Sequence, residues 1–398
     1  MNNFNLVVGS FFLYGGYYAF LLVLFSLGLI EAFGFYYSLL VRVLVVSSFF
    51  VLFLKMPNFK FNKLNFFVLF LIISFSILYL LKINFFEKDF SLYPKEFYYF
   101  YYLSYCFLPF LFISFTNFNK IYDQFFIWIQ KSNIIFLIFS FLVYGKYLFQ
   151  EIGRLSSSTV GTGDDVISPL VLSYISSLAI SIAFVNITLL KKNFIFNFIT
   201  ILLAIPSFLL GSSRGSIIVL LFLFLILIYL TNLKNKIRMI IFALLFIFFS
   251  IFLSERTSSS VFSRFLSISD DITANDDSAV RLSMWGNSIN EFKTNIVFGG
   301  DIEINAMYPH NIYIESLMAS GILGFSLLII SFFCIFYKTF KLIKLDKKYT
   351  ILLIFLLNAL IQYCFSGALY FAILIFVGMG IVIGIRVHDC NENRVFKI

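Results

Sequence analysis

Few side chains in this sequence could do chemistry, because charged residues make up only 12% of its 398 residues. One of its two histidines, His310, follows Pro309 at the point where a polar segment gives way to an apolar run. A neutral imidazole can accept a proton, as a general base must. Because the positive end of a helix starting just after His310 disfavours the imidazolium form, we expect this histidine to be neutral near pH 7.

Three arginines could bind an anion. Arg214 lies in GSSRGS, Arg281 opens a helical pattern, and Arg154 lies in EIGRLSSS. An arginine near lipid is costly and usually has a partner or a task, and a planar guanidinium donates paired hydrogen bonds to a phosphate. Arg214 is the strongest candidate, since the glycines and serines around it allow a ligand to approach closely. The alternative is that these side chains only reach lipid headgroups.

Two further polar residues follow His310 closely. Glu315, about one turn into the predicted helix, could orient the imidazole, pair with an arginine, or simply lie at the membrane interface. Asn311 and Glu315 are both candidates for binding the substrate. The acidic cluster in residues 270–277 has oxygen ligands for a divalent cation, but it lacks EF-hand spacing, so a solvated loop is favoured. The four cysteines are scattered, so we predict no metal site and no cofactor.

The elements that must position these residues are membrane helices. The chain is 61% hydrophobic and 21% aromatic, and runs of about 18 or more apolar residues match a hydrocarbon core of roughly 30 Å. The sequence predicts an all-α polytopic membrane protein, with residues 1–398 as one integral membrane domain. The pairs split by GSSRGS and by Ser366-Gly367 could instead be broken or re-entrant units. About twelve spans are predicted: 6–29, 35–54, 64–81, 97–115, 125–149, 169–189, 194–211, 215–231, 238–253, 312–337, 349–366 and 368–386.

Two large loops separate the predicted spans, at 150–168 and 254–311. The second contains Leu282, Trp285, Ile289 and Phe292 at helical spacing, which predicts an interfacial helix near 279–293. Gly299-Gly300 is expected to end it with a turn.

Lysine and arginine are concentrated in the other set of loops, which indicates that both termini are cytoplasmic and that the two large loops face the opposite side. The net charge of +9 is then assigned to the inner surface, where anionic lipids attract it. We therefore expect membrane lipids as partners and no nucleic acid.

The order of the motifs resembles a known family. GSSRGS at 211–216 is followed by Arg281 and Trp285 in an R-x-x-x-W pattern, by VFGG at 297–300 and by HNIYIESLMASGILGF at 310–325. This is similar to the O-antigen polymerase and O-antigen ligase superfamily of bacterial envelope polysaccharide assembly. GRLSSS at 153–158 resembles the family's preceding arginine loop. VFGGD departs from the pattern, because the family more often has a G-x-G turn there.

The resemblance implies a membrane glycosyltransferase (GT-C-like) bundle with a cavity open to the periplasm, in the bacterial inner membrane. It implies metal-independent transfer of a glycan from undecaprenyl pyrophosphate, with the family's arginines and histidine at Arg214, Arg281 and His310. The implied partners are undecaprenyl-pyrophosphate-linked oligosaccharide and, from the same pathway, a chain-length regulator and a flippase.

With no ligand set for a metal evident, the arginines would have to meet the charge of the leaving pyrophosphate. We assign Arg214 and Arg281 to the donor pyrophosphate, Arg154 to the acceptor, and His310 to the attacking hydroxyl, with inversion at the anomeric carbon. This requires Arg214 and His310 to converge in one chamber.

Polymerase activity is favoured over ligase activity, because three outer arginines suit two pyrophosphate substrates and the external part is small. The other hypotheses are transfer to lipid A-core, a lipid-linked oligosaccharide flippase or transporter, and a structural role. A carrier should have charges in both halves of the membrane, whereas the polar residues of interest lie on one side.

Overall fold

The computed structural model describes residues 4–85, 92–149, 155, 168–257, 277–304 and 307–386. These residues form helices, with two isolated β-bridges and no strand within the ranges described. Five short π or 3-10 segments interrupt or join the helices. The α-helices are α1 Phe4–Phe12, α2 Gly15–Ser26, α3 Ile30–Lys55, α4 Lys63–Phe85, α5 Lys95–Tyr101, α6 Leu108–Ser114, α7 Tyr122–Tyr144, α8 Pro169–Thr188, α9 Phe194–Gly211, α10 Arg214–Leu230, α11 Leu233–Arg256, α12 Asp277–Thr294, α13 Ile312–Leu345, α14 Thr350–Phe365 and α15 Ile373–Gly384.

The helices account for the apolar composition. Eight helical segments of the described chain are long and apolar enough to cross a membrane, or nine if α1 and α2, bent by 65°, form one span. The helices α10 and α15 are apolar but shorter. In lipid, a helix satisfies its own backbone hydrogen bonds, so an all-helical fold is the expected outcome for such a chain. The all-α prediction is confirmed over these residues, while the number of twelve crossings stays a prediction.

By their contacts, the residues divide into two compact units. The single integral membrane domain over residues 1–398 stays a prediction. The first unit comprises Met1–Val45, Asp123–Ile268 and Lys347–Ile361. Its central helix is α8, which is buried along almost its whole length and packs against α9 and α10.

Three buried amides join helices inside the first unit. The Gln130 side chain donates to Asn197 Oδ1 at 2.8 Å, and Asn186 Nδ2 donates to Gln130 Oε1 at 3.2 Å. Interhelical hydrogen bonds of this kind hold helices together where no hydrophobic force acts between them.

The second unit comprises Val46–Tyr122, Ser269–Asp346 and Gln362–Ile398. Its main contacts are α4 with α13 and α6 with α15. Lys338 of α13 is buried, and its Nζ donates to Asn65 Oδ1 and to the Ile385 carbonyl, both at 2.8 Å. A lysine that satisfies carbonyls at the end of α15 fixes the last helix against α13 and α4.

The predicted large loops are described in part. The helix α12, Asp277–Thr294, lies where the sequence predicts a helix over 279–293. Its position on a membrane surface stays a prediction. Residues 258–276 and most of 150–168, which hold Arg154 and most of the acidic cluster, lie outside the described residues.

Candidate functional site

His310 and Arg281 come together in the second unit. Arg281 lies in the first half of α12, and His310 lies two residues before α13. Burial and, as the smaller cause, the positive charge of Arg281 together lower the pKa of His310 to about 4. The imidazole is therefore neutral at pH 7, as the sequence analysis expects, and both burial and Arg281 contribute to this.

The backbone of His310 has an unusual conformation. Its φ is +53°, in the left-handed region that few residues other than glycine occupy. The preceding carbonyl, that of Pro309, accepts a hydrogen bond from Trp285 Nε1 at 2.8 Å. The imidazole packs on Tyr308, with ring centroids 4.3 Å apart. Strained residues of this kind are common at functional sites, where the surrounding structure holds them.

Asn311 forms the N-terminal cap of α13. Its Oδ1 accepts the backbone N–H groups of Tyr313 at 3.0 Å and Ile314 at 3.2 Å. Asparagine is among the preferred residues for this contact, which satisfies two of the free N–H groups of the first turn. The structure thus gives Asn311 a local role that starts the helix directly after His310. Its role in substrate binding stays a prediction.

Glu315 is fully buried on α13. Its Oε2 accepts the backbone N–H of Leu369 at 2.8 Å, at the short turn between α14 and α15. The Glu315 carboxylate therefore contacts a backbone amide, whereas the sequence suggested that it orients His310 or pairs with an arginine. Its Oε1 has no hydrogen-bond partner among the described residues, and neither do the hydroxyls of Tyr79 and Tyr370, which interact electrostatically with this carboxyl group.

Two glycines join the segment after α12 to a break in α13. Gly299 has φ +78° and Gly321 has φ +61°, and Gly321 interrupts the helical conformation of α13. The Gly300 N–H donates to the Met318 carbonyl at 2.8 Å, and the Ile322 N–H donates to the Ile296 carbonyl at 2.9 Å. The predicted turn at Gly299-Gly300 is present, and it also holds the first part of α13 in place.

Residues distant in sequence also form hydrogen bonds with the segment between α12 and α13. The sequence analysis did not identify them. The buried Lys82 of α4 donates to the Gly299 carbonyl at 2.9 Å. Glu303 accepts hydrogen bonds from the Tyr98 hydroxyl and from the Leu92 N–H, the latter at 3.0 Å. A buried charge in a span is a signal that could have indicated Lys82. The partners of Glu303 are separated from it by about 200 residues, so no local pattern indicates them.

Arg214 lies in the first unit, where it begins α10. Ser212, with φ +43°, forms the turn before it, and the Ser213 N–H donates to Ser173 Oγ at 3.2 Å. Gly211 packs so closely on α8 that an added Cβ would collide with Ser173 and Pro169. Arg214 is the first residue of α10, and the side chain of Ser213 before it makes no capping bond to the positive end of this helix. This is a local arrangement suited to an anion.

Among the residues described, no group of three or more His, Cys, Asp or Glu side chains could hold a metal ion. Arg154 lies outside those residues. Its neighbour Leu155 is buried and donates its N–H to the Leu210 carbonyl at 3.2 Å.

Comparison with known proteins adds one result. A family model described as O-antigen ligase matches residues 198–329, a range that includes Arg214, Arg281, His310 and Glu315. A search of curated proteins finds no match to the chain. This match to residues 198–329 supports the O-antigen polymerase and ligase superfamily.

Proposed function

We propose that the protein is a glycosyltransferase that polymerises a surface polysaccharide on the periplasmic face of the inner membrane. It would move a growing glycan from undecaprenyl pyrophosphate to a lipid-linked repeat unit. The observation that carries the proposal is the neutral His310 beside Arg281, within the segment that matches the family. A base and a cation side by side suit a reaction that removes a proton and releases an anion.

In the proposed step, His310 takes the proton from the acceptor hydroxyl as its oxygen attacks the anomeric carbon of the donor. The bond from that carbon to the pyrophosphate oxygen breaks, and undecaprenyl pyrophosphate leaves with the bonding electron pair. Direct displacement inverts the anomeric carbon. Arg281 meets the negative charge that develops on the leaving group, so no metal ion is required by this scheme.

Arg214 is proposed as a second contact of the donor pyrophosphate. Its guanidinium at the N-terminus of α10 and the small residues of GSSRGS support this role. Arg154 is proposed for the acceptor. Its assignment rests on the sequence motif, as do the proposed partnerships with a chain-length regulator and a flippase.

A ligase is the second candidate, because the matched family is described as O-antigen ligase. The two activities share the donor and differ in the acceptor. A deletion strain separates them by the banding pattern of its surface polysaccharide. A polymerase deletion leaves single attached units without a ladder, whereas a ligase deletion leaves no attached units and lets lipid-linked chains accumulate.

The proposal is tested by restoring a deletion strain with variants of equal membrane abundance. R214A and H310A should fail to restore long chains, since removing a general base typically costs about 10²- to 10⁴-fold in rate and removing a charge-stabilising donor about 10²- to 10³-fold. H388A, which removes the other histidine, and R256A are the matched controls and should restore them. Long chains in strains carrying R214A and H310A would refute these assignments.

A further inference from the structure

One hydrogen bond links α12 to the backbone beside His310. Trp285 is one of two tryptophans in the chain, and its indole N–H donates to the Pro309 carbonyl at 2.8 Å. Arg281 lies four residues before Trp285 on the same helix, so the two side chains share a face of α12. The helix that supplies the cation thus also contacts the segment that supplies the base.

The contact fixes the orientation of a particular peptide group. The Pro309 carbonyl and the His310 N–H belong to one planar peptide group. A hydrogen bond that fixes the carbonyl therefore also fixes the orientation of the N–H, and this restrains the φ angle of His310. That angle, +53°, is unfavourable for a residue with a side chain. Without the indole donor, rotation of this peptide would relieve the strain and move the imidazole.

We propose that Trp285 is a positioning residue for His310, acting through the hydrogen bond from its indole N–H to the Pro309 carbonyl. The inference rests on the proposed function, because Trp285 would hold His310, the proposed catalytic base, beside Arg281. It differs from the sequence interpretation, in which Trp285 belongs to the apolar face of an interfacial helix.

The test separates the N–H group from the ring. W285F keeps an aromatic ring without the donor, and benzothienylalanine at position 285 keeps the shape of tryptophan without the N–H. The matched control is W128F, which makes the same change at the tryptophan of α7. Turnover of a lipid-linked repeat unit is measured against pH with purified full-length protein, and the folded fraction is checked by gel filtration in detergent.

We expect both changes at position 285 to lower kcat about two- to tenfold, the range for a single hydrogen bond, with little change in KM. The acid limb of the kcat/KM profile should move upward from about 4, because an imidazole that leaves its buried place beside Arg281 loses both causes of its low pKa. W128F should change neither quantity. A merely structural role would lower the amount of folded protein without moving the acid limb.

The inference would be overturned if the benzothienylalanine protein had the wild-type kcat and an unmoved acid limb. If W285F does not accumulate, the benzothienylalanine protein alone provides the test. H310A is assayed in parallel. If H310A is inactive and the position 285 variants behave as wild type, the positioning role alone is wrong. If H310A is fully active, the proposed function fails and the positioning role fails with it.

Discussion

At the scale of single residues, Arg281 has opposing effects on His310. Its positive charge helps to keep the imidazole neutral, and it also makes that imidazole a weaker base. A pyrophosphate bound at Arg281 would offset the charge, so the basicity of His310 should rise when the donor is present. This would confine effective proton removal to the substrate-bound enzyme.

The pH dependence of the rate should show this effect. The neutral imidazole is the active form, so kcat/KM should persist down to about pH 4 and fall as the pH falls through that value. The acid limb of kcat should lie higher, because it reports the donor-bound enzyme. R281Q should raise the acid limb of kcat/KM toward the ordinary histidine value, and the control R256Q should leave it in place. An acid limb at the ordinary value in the wild-type protein would contradict the buried site.

Glu315, predicted to bind the substrate, also accepts a hydrogen bond from a backbone amide inside the fold. E315Q keeps an oxygen that can accept the Leu369 N–H, whereas E315A leaves this buried donor unpaired. An unpaired buried donor costs about 1–3 kcal/mol, so E315A should unfold at a lower temperature and E315Q should not. The measurement is a thermal unfolding curve in detergent, with S316A on the same helix as control. Equal stability of E315A and wild type would exclude the packing role.

At the scale of elements, the turn at Gly299 packs closely against the break in α13 at Gly321. This contact sets the direction of α13 after His310. A Cβ on Gly299 would lie 2.5 Å from the Met318 carbonyl oxygen, and one on Gly321 would lie 2.5 Å from the Gly299 nitrogen. Both positions also have positive φ angles. The break in α13 is therefore tied to the turn, and neither can change alone.

G321A should accumulate poorly or unfold at a clearly lower temperature, because it combines backbone strain with a collision against another backbone. Gly286 in α12 is the matched control, since an added Cβ there meets nothing within 4 Å. G286A should be as stable as wild type or more stable by about 0.5–1 kcal/mol, as expected for alanine in a helix. Normal yield and stability of G321A would show that the contact between Gly299 and Gly321 is unimportant for the fold.

Sequence patterns indicated some of these elements and not others. The spacing of Leu282, Trp285 and Ile289 was sufficient to place α12 to within two residues at its N-terminus. The break at Gly321 was missed because the apolar run 312–337 continues through it without a change in hydropathy. The neutral state of His310 was predicted from the helix terminus alone, because burial and a cation from another helix depend on tertiary contacts that the sequence does not show.

At the scale of the whole molecule, the residues proposed for one reaction belong to two compact units. Arg214 is part of the first, and Arg281 and His310 are part of the second. The family match spans residues of both units. The role of Arg214 in the reaction is therefore tested by the activity of R214A.

The most direct test is elongation by purified full-length protein supplied with a lipid-linked repeat unit. Longer lipid-linked glycans and free undecaprenyl pyrophosphate are measured together. Wild type and H388A should release one pyrophosphate lipid for each unit added, and H310A should be slower by about 10²-fold or more. Elongation by H310A at the wild-type rate, or no elongation by wild type while glycan is moved to lipid A-core, would contradict the account.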